Sequence, residues 1–110
     1  MAEGLDGFTA VAQTSELADG DMLLVTVNGS ELLLARVGGE FLAADSVCTH
    51  ALGYLDQGTL HGCEIECPIH VGRFDLRTGA ATQEPAVDPL TTYEVRVHDG
   101  TVYVGPARRA

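Results

Sequence analysis

Two short segments of this chain pair a thiol with an imidazole: Cys48-Thr49-His50 and Cys67-Pro68-Ile69-His70, with residues 51–66 between them. Each offers one soft sulfur donor and one borderline nitrogen donor, a set suited to transition metals. Two kinds of centre fit such donors. Zinc can close a Cys2His2 tetrahedron. Alternatively, one class of [2Fe–2S] cluster carries two Cys on one iron and two His on the other. Zinc ribbons usually rely on paired C-x-x-C knuckles, and C-x-H departs from that pattern, so the cluster is the stronger reading. Gly53, Gly62 and Gly72 lie near the donors and permit tight turns. Pro68 fixes φ where the second segment has to bend.

These donors need a frame, and the rest of the chain reads as strands and turns. Met22–Val27 is rich in Leu and Val and ends at Asn28-Gly29, a dipeptide that favours a type I′ hairpin turn. Glu31–Val37 returns, Gly38-Gly39 turns, and Glu40–Ala44 forms a third strand. Tyr93–Val97 and Thr101–Val104 flank Asp99-Gly100 as a last hairpin. Only residues 15–19 hint at a helical turn, and no segment of helical length shows a 3.6-residue apolar period. The pattern predicts an all-β fold, an antiparallel β-sandwich or barrel. Residues 45–89 differ from the remainder: they hold all three Cys, every His except His98, and Pro68, Pro85 and Pro89. The chain thus reads as a single domain over 1–110. Residues 1–44 and 90–110 form its β framework, and 45–89 form a small metal-binding subdomain of two hairpin loops.

Composition narrows the function. The chain has 110 residues, enough for one domain with a small core. Sixteen Asp and Glu against six Lys and Arg give a net charge of −10. That excludes the basic footprint of a nucleic-acid binder and suits steering toward basic patches on other proteins. Residues 1–12 lack a basic leader followed by an apolar run, and no stretch approaches a membrane span, so a cytoplasmic location is expected. An odd number of Cys argues for metal or reactive thiols over a disulfide framework.

With Gly72-Arg73-Phe74-Asp75 trailing the second segment, the donor pair resembles the Rieske [2Fe–2S] family. More closely, it resembles the small Rieske ferredoxins that feed bacterial aromatic ring-hydroxylating dioxygenases. The likeness extends over the N-terminal strands, both ligand loops, the loop at Pro85–Leu90 and the final hairpin. It implies the Rieske fold and one [2Fe–2S] cluster per chain, with Cys48 and Cys67 on one iron and His50 and His70 on the other. It implies a one-electron carrier without catalytic residues of its own. A flavin-containing, NAD(P)H-dependent reductase would load it, and a terminal Rieske oxygenase would unload it. A carrier that docks twice is expected to be monomeric. The alternative is the small Rieske-like subunit of a nitrite-reductase-type complex, but those subunits often lose ligands and this chain keeps all four.

The resemblance also bears on potential. Replacing two thiolates by neutral imidazoles makes the cluster less negative, which raises the Rieske range to roughly −150 to +300 mV. High-potential members add an inter-loop disulfide and hydroxyl groups near the cluster. The matching positions here are Gly53 and Ile69 for the disulfide, and Gly72 and Phe74 for the hydroxyls. None can serve, so a potential at the low end is expected. Val71 departs from the Gly that often follows the second His.

Other residues have plainer readings. Cys63, in the apparent strand 61–66, is expected to be a small half-buried apolar residue. Phe74 is expected in the core and His98 in solvent at a turn, while no partner is evident for His61. Arg73 either anchors the second loop or forms a surface ion pair. Asp45, Asp56, Glu64, Glu66 and Asp75 form either an acidic docking rim or a solvated face.

Overall fold

The computed structural model describes residues 7–47, 54–68, 72–83 and 89–108. Cys48, His50, Gly53, Ile69, His70, Val71 and Pro85 therefore lie outside the described residues. The described strands are β1 (Thr9–Gln13), β2 (Met22–Val27), β3 (Ser30–Val37), β4 (Glu40–Asp45), β5 (Thr59–His61), β6 (Glu64–Glu66), β7 (Arg73–Asp75), β8 (Ala81–Gln83), β9 (Thr92–His98) and β10 (Thr101–Ala107). They form two antiparallel sheets, a six-stranded one in the order β1-β10-β9-β4-β3-β2 and a four-stranded one in the order β5-β6-β7-β8. Edge strands β1 and β2 approach each other, so the larger sheet is a nearly closed barrel. The expected all-β architecture holds, and no helix among the described residues is long and apolar enough to cross a membrane.

Turn chemistry sets the register of the larger sheet. Asn28 and Gly29 both take positive φ (51° and 83°), as a type I′ turn requires, and Val27 pairs with Ser30 across them. Asp99 and Gly100 do the same between β9 and β10. The hinted helical turn is a single 3-10 turn at Thr14–Glu16, where Glu16 Oε1 accepts the Gln13 backbone N–H at 2.7 Å.

β3 and β4 are buried on both faces, and this divides the core in two. Leu33, Ala35, Leu42 and Ala44 point toward the smaller sheet and pack with Leu55, Ile65, Cys67, Phe74, Leu76 and Leu90. Leu32, Leu34, Phe41 and Ala43 point into the barrel and pack with Ala12, Leu17, Val25, Val102 and Val104. Double burial explains why Leu32–Ala35 is a continuous apolar run rather than an alternating one.

The smaller sheet alternates cleanly. Leu60, Ile65 and Phe74 are opposite one another on β5, β6 and β7, and this row faces the core. Thr59, His61, Glu64, Glu66, Arg73 and Asp75 occupy the other face. One sequence expectation is corrected here: residues 61–66 are not one strand. Gly62, at φ 60°, and Cys63 form the two-residue turn that joins β5 to β6.

Candidate metal centre

Of the four predicted ligands, Cys67 is the one that is described. It follows β6 two residues after Ile65, so the period of the strand turns it to the core face, where it is fully buried. It has no disulfide partner among the described residues. Its backbone N–H donates to the Gly72 carbonyl at 2.7 Å, which ties together the two ends of the segment carrying His70. The segment carrying Cys48 and His50 is bracketed in the same way. Val47 and Tyr54 form an isolated antiparallel bridge, and the Leu55 N–H donates to the Ser46 carbonyl at 2.7 Å.

The two roots are fixed to one body. Leu55, just past the first root, is fully buried in the core cluster that contains Cys67. Between them Gly58 lies so close to β6 that a Cβ there would overlap the Glu66 carbonyl oxygen. Ser46 Oγ donates to the Glu31 carbonyl at 2.9 Å, and the Asp45 N–H donates to the Thr91 carbonyl at 2.9 Å. Tyr93 Oη donates to Asp45 Oδ1 at 2.7 Å. Burial, reinforced by the hydrogen bond and the charge of Asp45, pushes the Tyr93 hydroxyl up to about 12. A third excursion, containing Pro85, is closed at its base by the Leu90 N–H donating to the Gly79 carbonyl at 2.7 Å.

The acidic residues near the roots are largely engaged within the fold. Asp45 takes the Tyr93 hydroxyl, Glu64 and Glu66 pair with Arg73, and Asp75 Oδ1 accepts the Arg77 N–H at 2.9 Å. Asp56 Oδ2 accepts Gln57 Nε2 at 3.1 Å, while its Oδ1 is buried without a hydrogen-bond partner among the described residues. His61, for which the sequence offered no partner, has Glu66 Oε1 at 2.9 Å from Nε2. Their registers on β5 and β6 could have suggested that diagonal contact, had the turn at Gly62-Cys63 been recognised. Cys63 is half-buried against the core, as expected for a small apolar side chain, and Phe74 is fully buried. His98 is half exposed beside Asp99 at 3.2 Å. Gly58 and Ser46 were not singled out from the sequence, because a backbone contact and a side chain bonded to a distant carbonyl leave no local motif.

The donor chemistry fits an iron–sulfur cluster. Cys67 is a dry thiol without a disulfide partner among the described residues, and such a group is an inert hydrophobe unless a metal takes it. Among the described residues no three His, Cys, Asp or Glu gather to make a competing metal site, so Cys63 and His61 do not form one with Cys67.

Comparison with known proteins agrees. Residues 7–94 match the model of the Rieske [2Fe–2S] domain. The chain is 44% identical over 90 residues to the ferredoxin component of the naphthalene 1,2-dioxygenase system of Pseudomonas putida, covering 82% of this chain and 86% of that protein. Among solved structures, the ferredoxin of carbazole 1,9a-dioxygenase from Nocardioides aromaticivorans IC177 superposes with a TM-score of 0.87 at 42% identity, covering 90% of this chain and 97% of the other. A chain from the complex of reduced oxygenase and oxidized ferredoxin in carbazole 1,9a-dioxygenase superposes with a TM-score of 0.88 at 36% identity, covering 94% and 97%. The cofactor is accordingly a Rieske-type [2Fe–2S] cluster, and the chain belongs to the Rieske [2Fe–2S] family as one of its ferredoxins.

Proposed function

We propose that this protein is a one-electron carrier of an aromatic-ring dioxygenase system. It takes electrons from an NAD(P)H-dependent flavoprotein reductase and delivers them to a terminal dioxygenase. The observation that carries this reading is the likeness, over 90% of this chain and 97% of the other, to a ferredoxin of carbazole 1,9a-dioxygenase. In our reading Cys48 and Cys67 hold one iron and His50 and His70 the other. Residues 45–89 act as the cluster-binding subdomain on a frame formed by 1–44 and 90–110. When bound, the cluster takes up and gives back a single electron without bond-making chemistry. The protein's part is to hold the thiolate of Cys67 in a water-free pocket and to keep the two loop roots fixed, so that little rearranges when charge arrives.

We place the potential at the low end of the Rieske range. Gly72 has no side chain and Phe74 is a fully buried hydrocarbon, so neither supplies a hydroxyl to the cluster's sulfurs. We also read the carrier as a cytoplasmic monomer. Its net charge of −10 favours encounter with basic surfaces on both partners. The test is direct. Purified protein should show the EPR signal of a His-ligated [2Fe–2S] cluster after reduction by a flavoprotein reductase, and a terminal aromatic-ring dioxygenase should reoxidise it. A colourless zinc-loaded protein, or a cluster that no such oxygenase reoxidises, would overturn the reading.

A further inference from the structure

The back of the smaller sheet carries a charge lattice that the electron-carrying role does not by itself require. Arg73 stands directly opposite Glu66 in the β6–β7 register. Its guanidinium reaches two carboxylates, Glu66 Oε1 at 3.2 Å and Glu64 Oε1 at 3.7 Å. Glu66 Oε1 also lies 2.9 Å from His61 Nε2 on β5, so one carboxylate oxygen joins three strands. The Arg73 and Glu66 side chains are 30% and 23% exposed, which makes the contact drier than an ordinary surface pair. Arg73 Nε is buried without a hydrogen-bond partner among the described residues, a cost that the forked contact has to offset.

The lattice has a specific location. Glu66 immediately precedes Cys67, and Arg73 immediately follows Gly72, whose carbonyl accepts the Cys67 N–H. The Arg73–Glu66 rung is thus the last residue pair of the β6–β7 ladder, with only the Cys67–Gly72 backbone bond between it and the segment that carries His70. His61 ends the strand that leads back through Gly58 and Leu55 to the root of the first loop. We infer that Arg73, with Glu66 and His61, is a positioning residue for the cluster: it clamps the second ligand loop and ties it to the root of the first. The inference rests on the ligation proposed above for Cys67. A lysine at position 73 would keep the charge but present a compact, freely rotating ammonium, which holds two carboxylates less rigidly than the planar guanidinium fork does.

The test uses the cluster-loaded protein and compares Arg73→Gln and Arg73→Lys with Arg77→Gln, which breaks an exposed pair with Glu40 elsewhere. Three quantities are read: the rate at which a ferrous chelator bleaches the cluster, the midpoint potential, and the thermal midpoint of the β framework. Arg73→Gln should release iron about tenfold faster, in line with the lower end of the roughly 10–100-fold affinity loss on removing a partner that orients a metal ligand, and its midpoint should fall because a nearby positive charge is gone. Arg73→Lys should keep the wild-type midpoint yet still release iron faster. Arg77→Gln should match wild type in release and midpoint. If Arg73→Gln fails to fold, the lysine variant alone decides. Release from either Arg73 variant at the wild-type rate, with only the thermal midpoint lowered, would reduce the lattice to an ordinary structural ion pair and overturn the inference. Wild-type protein without a His-ligated cluster would instead refute the proposed function, so the two failures are distinguishable.

Discussion

Gly58→Ala isolates the close approach of Gly58 to β6, the strand that leads into Cys67. Gly58 has an ordinary φ of −86°, so alanine meets no backbone penalty there. The obstacle is space: the new methyl would overlap the Glu66 carbonyl oxygen and press on the Leu55 carbonyl at 3.2 Å. Both neighbours are backbone, so no side chain can swing aside. Overpacking of this kind costs about 1–3 kcal/mol. Weakening the Gly58 N–H to Leu55 carbonyl bond, 2.9 Å long, adds up to about 1 kcal/mol. A total of about 1–4 kcal/mol corresponds to a fall in Tm of roughly 5–20 °C for a domain of this size. The displaced backbone belongs to Glu66, next to Cys67, so iron release to a chelator should accelerate as well. Gly62→Ala is the matched comparison. There φ is 60° and nothing lies within 4 Å, so alanine meets strain but no collision. It should cost about 1 kcal/mol and leave the cluster's release rate unchanged. Thermal melts and chelator assays on both holo-proteins measure the difference. A Gly58→Ala protein within about 2 °C of wild type, releasing iron no faster than Gly62→Ala, would refute the claim that this close approach holds the loop roots together.

Three further outcomes are expected. Cys67→Ser should abolish the visible and EPR signals of the cluster, whereas Cys63→Ser, at a half-buried turn position, should retain them. Tyr93→Phe removes a hydrogen bond to the Asp45 carboxylate and should cost about 1 kcal/mol at neutral pH. The folded-state value of Tyr93 lies above the ordinary tyrosine range, so its contribution is fully present below pH 10 and is lost as pH rises toward 12. Denaturant titrations at several alkaline pH values should therefore show wild type and Tyr93→Phe converging. Protein-film voltammetry should give a midpoint below zero, in keeping with Gly72 and Phe74 offering no hydroxyl. A clearly positive value would show that other groups donate to the sulfurs.

Legibility in the sequence followed the physics of each feature. The hairpins at Asn28-Gly29 and Asp99-Gly100 were readable because a positive φ at two successive residues selects for Asn, Asp and Gly, and that preference is local. The Cys and His spacing pointed to the Rieske family for a similar reason, since metal ligands must be particular residue types. The smaller sheet was harder. Each of its strands spans three residues, too few for an alternating pattern to stand out. Leu60, Ile65 and Phe74 become a core row only when His61↔Glu64 and Ile65↔Phe74 are known to pair. Reading 61–66 as one strand missed the turn, and with the turn went the link between His61 and Glu66.

That link is part of the brace inferred above for the metal site. The inner row of the smaller sheet supplies the dry wall around Cys67, and the outer row supplies charges that tie the same strands together. The two rows alternate residue by residue, so every position in β6 serves one purpose or the other: Glu64 and Glu66 outward to Arg73, Ile65 inward to the core. A one-residue slip of β6 would expose Ile65 and bury both carboxylates, which makes the register self-correcting. Cys67 inherits its inward direction from that register. Its placement therefore follows from the strand before it, and substitutions that disturb the β6 register should impair the cluster without touching any of the four proposed ligands.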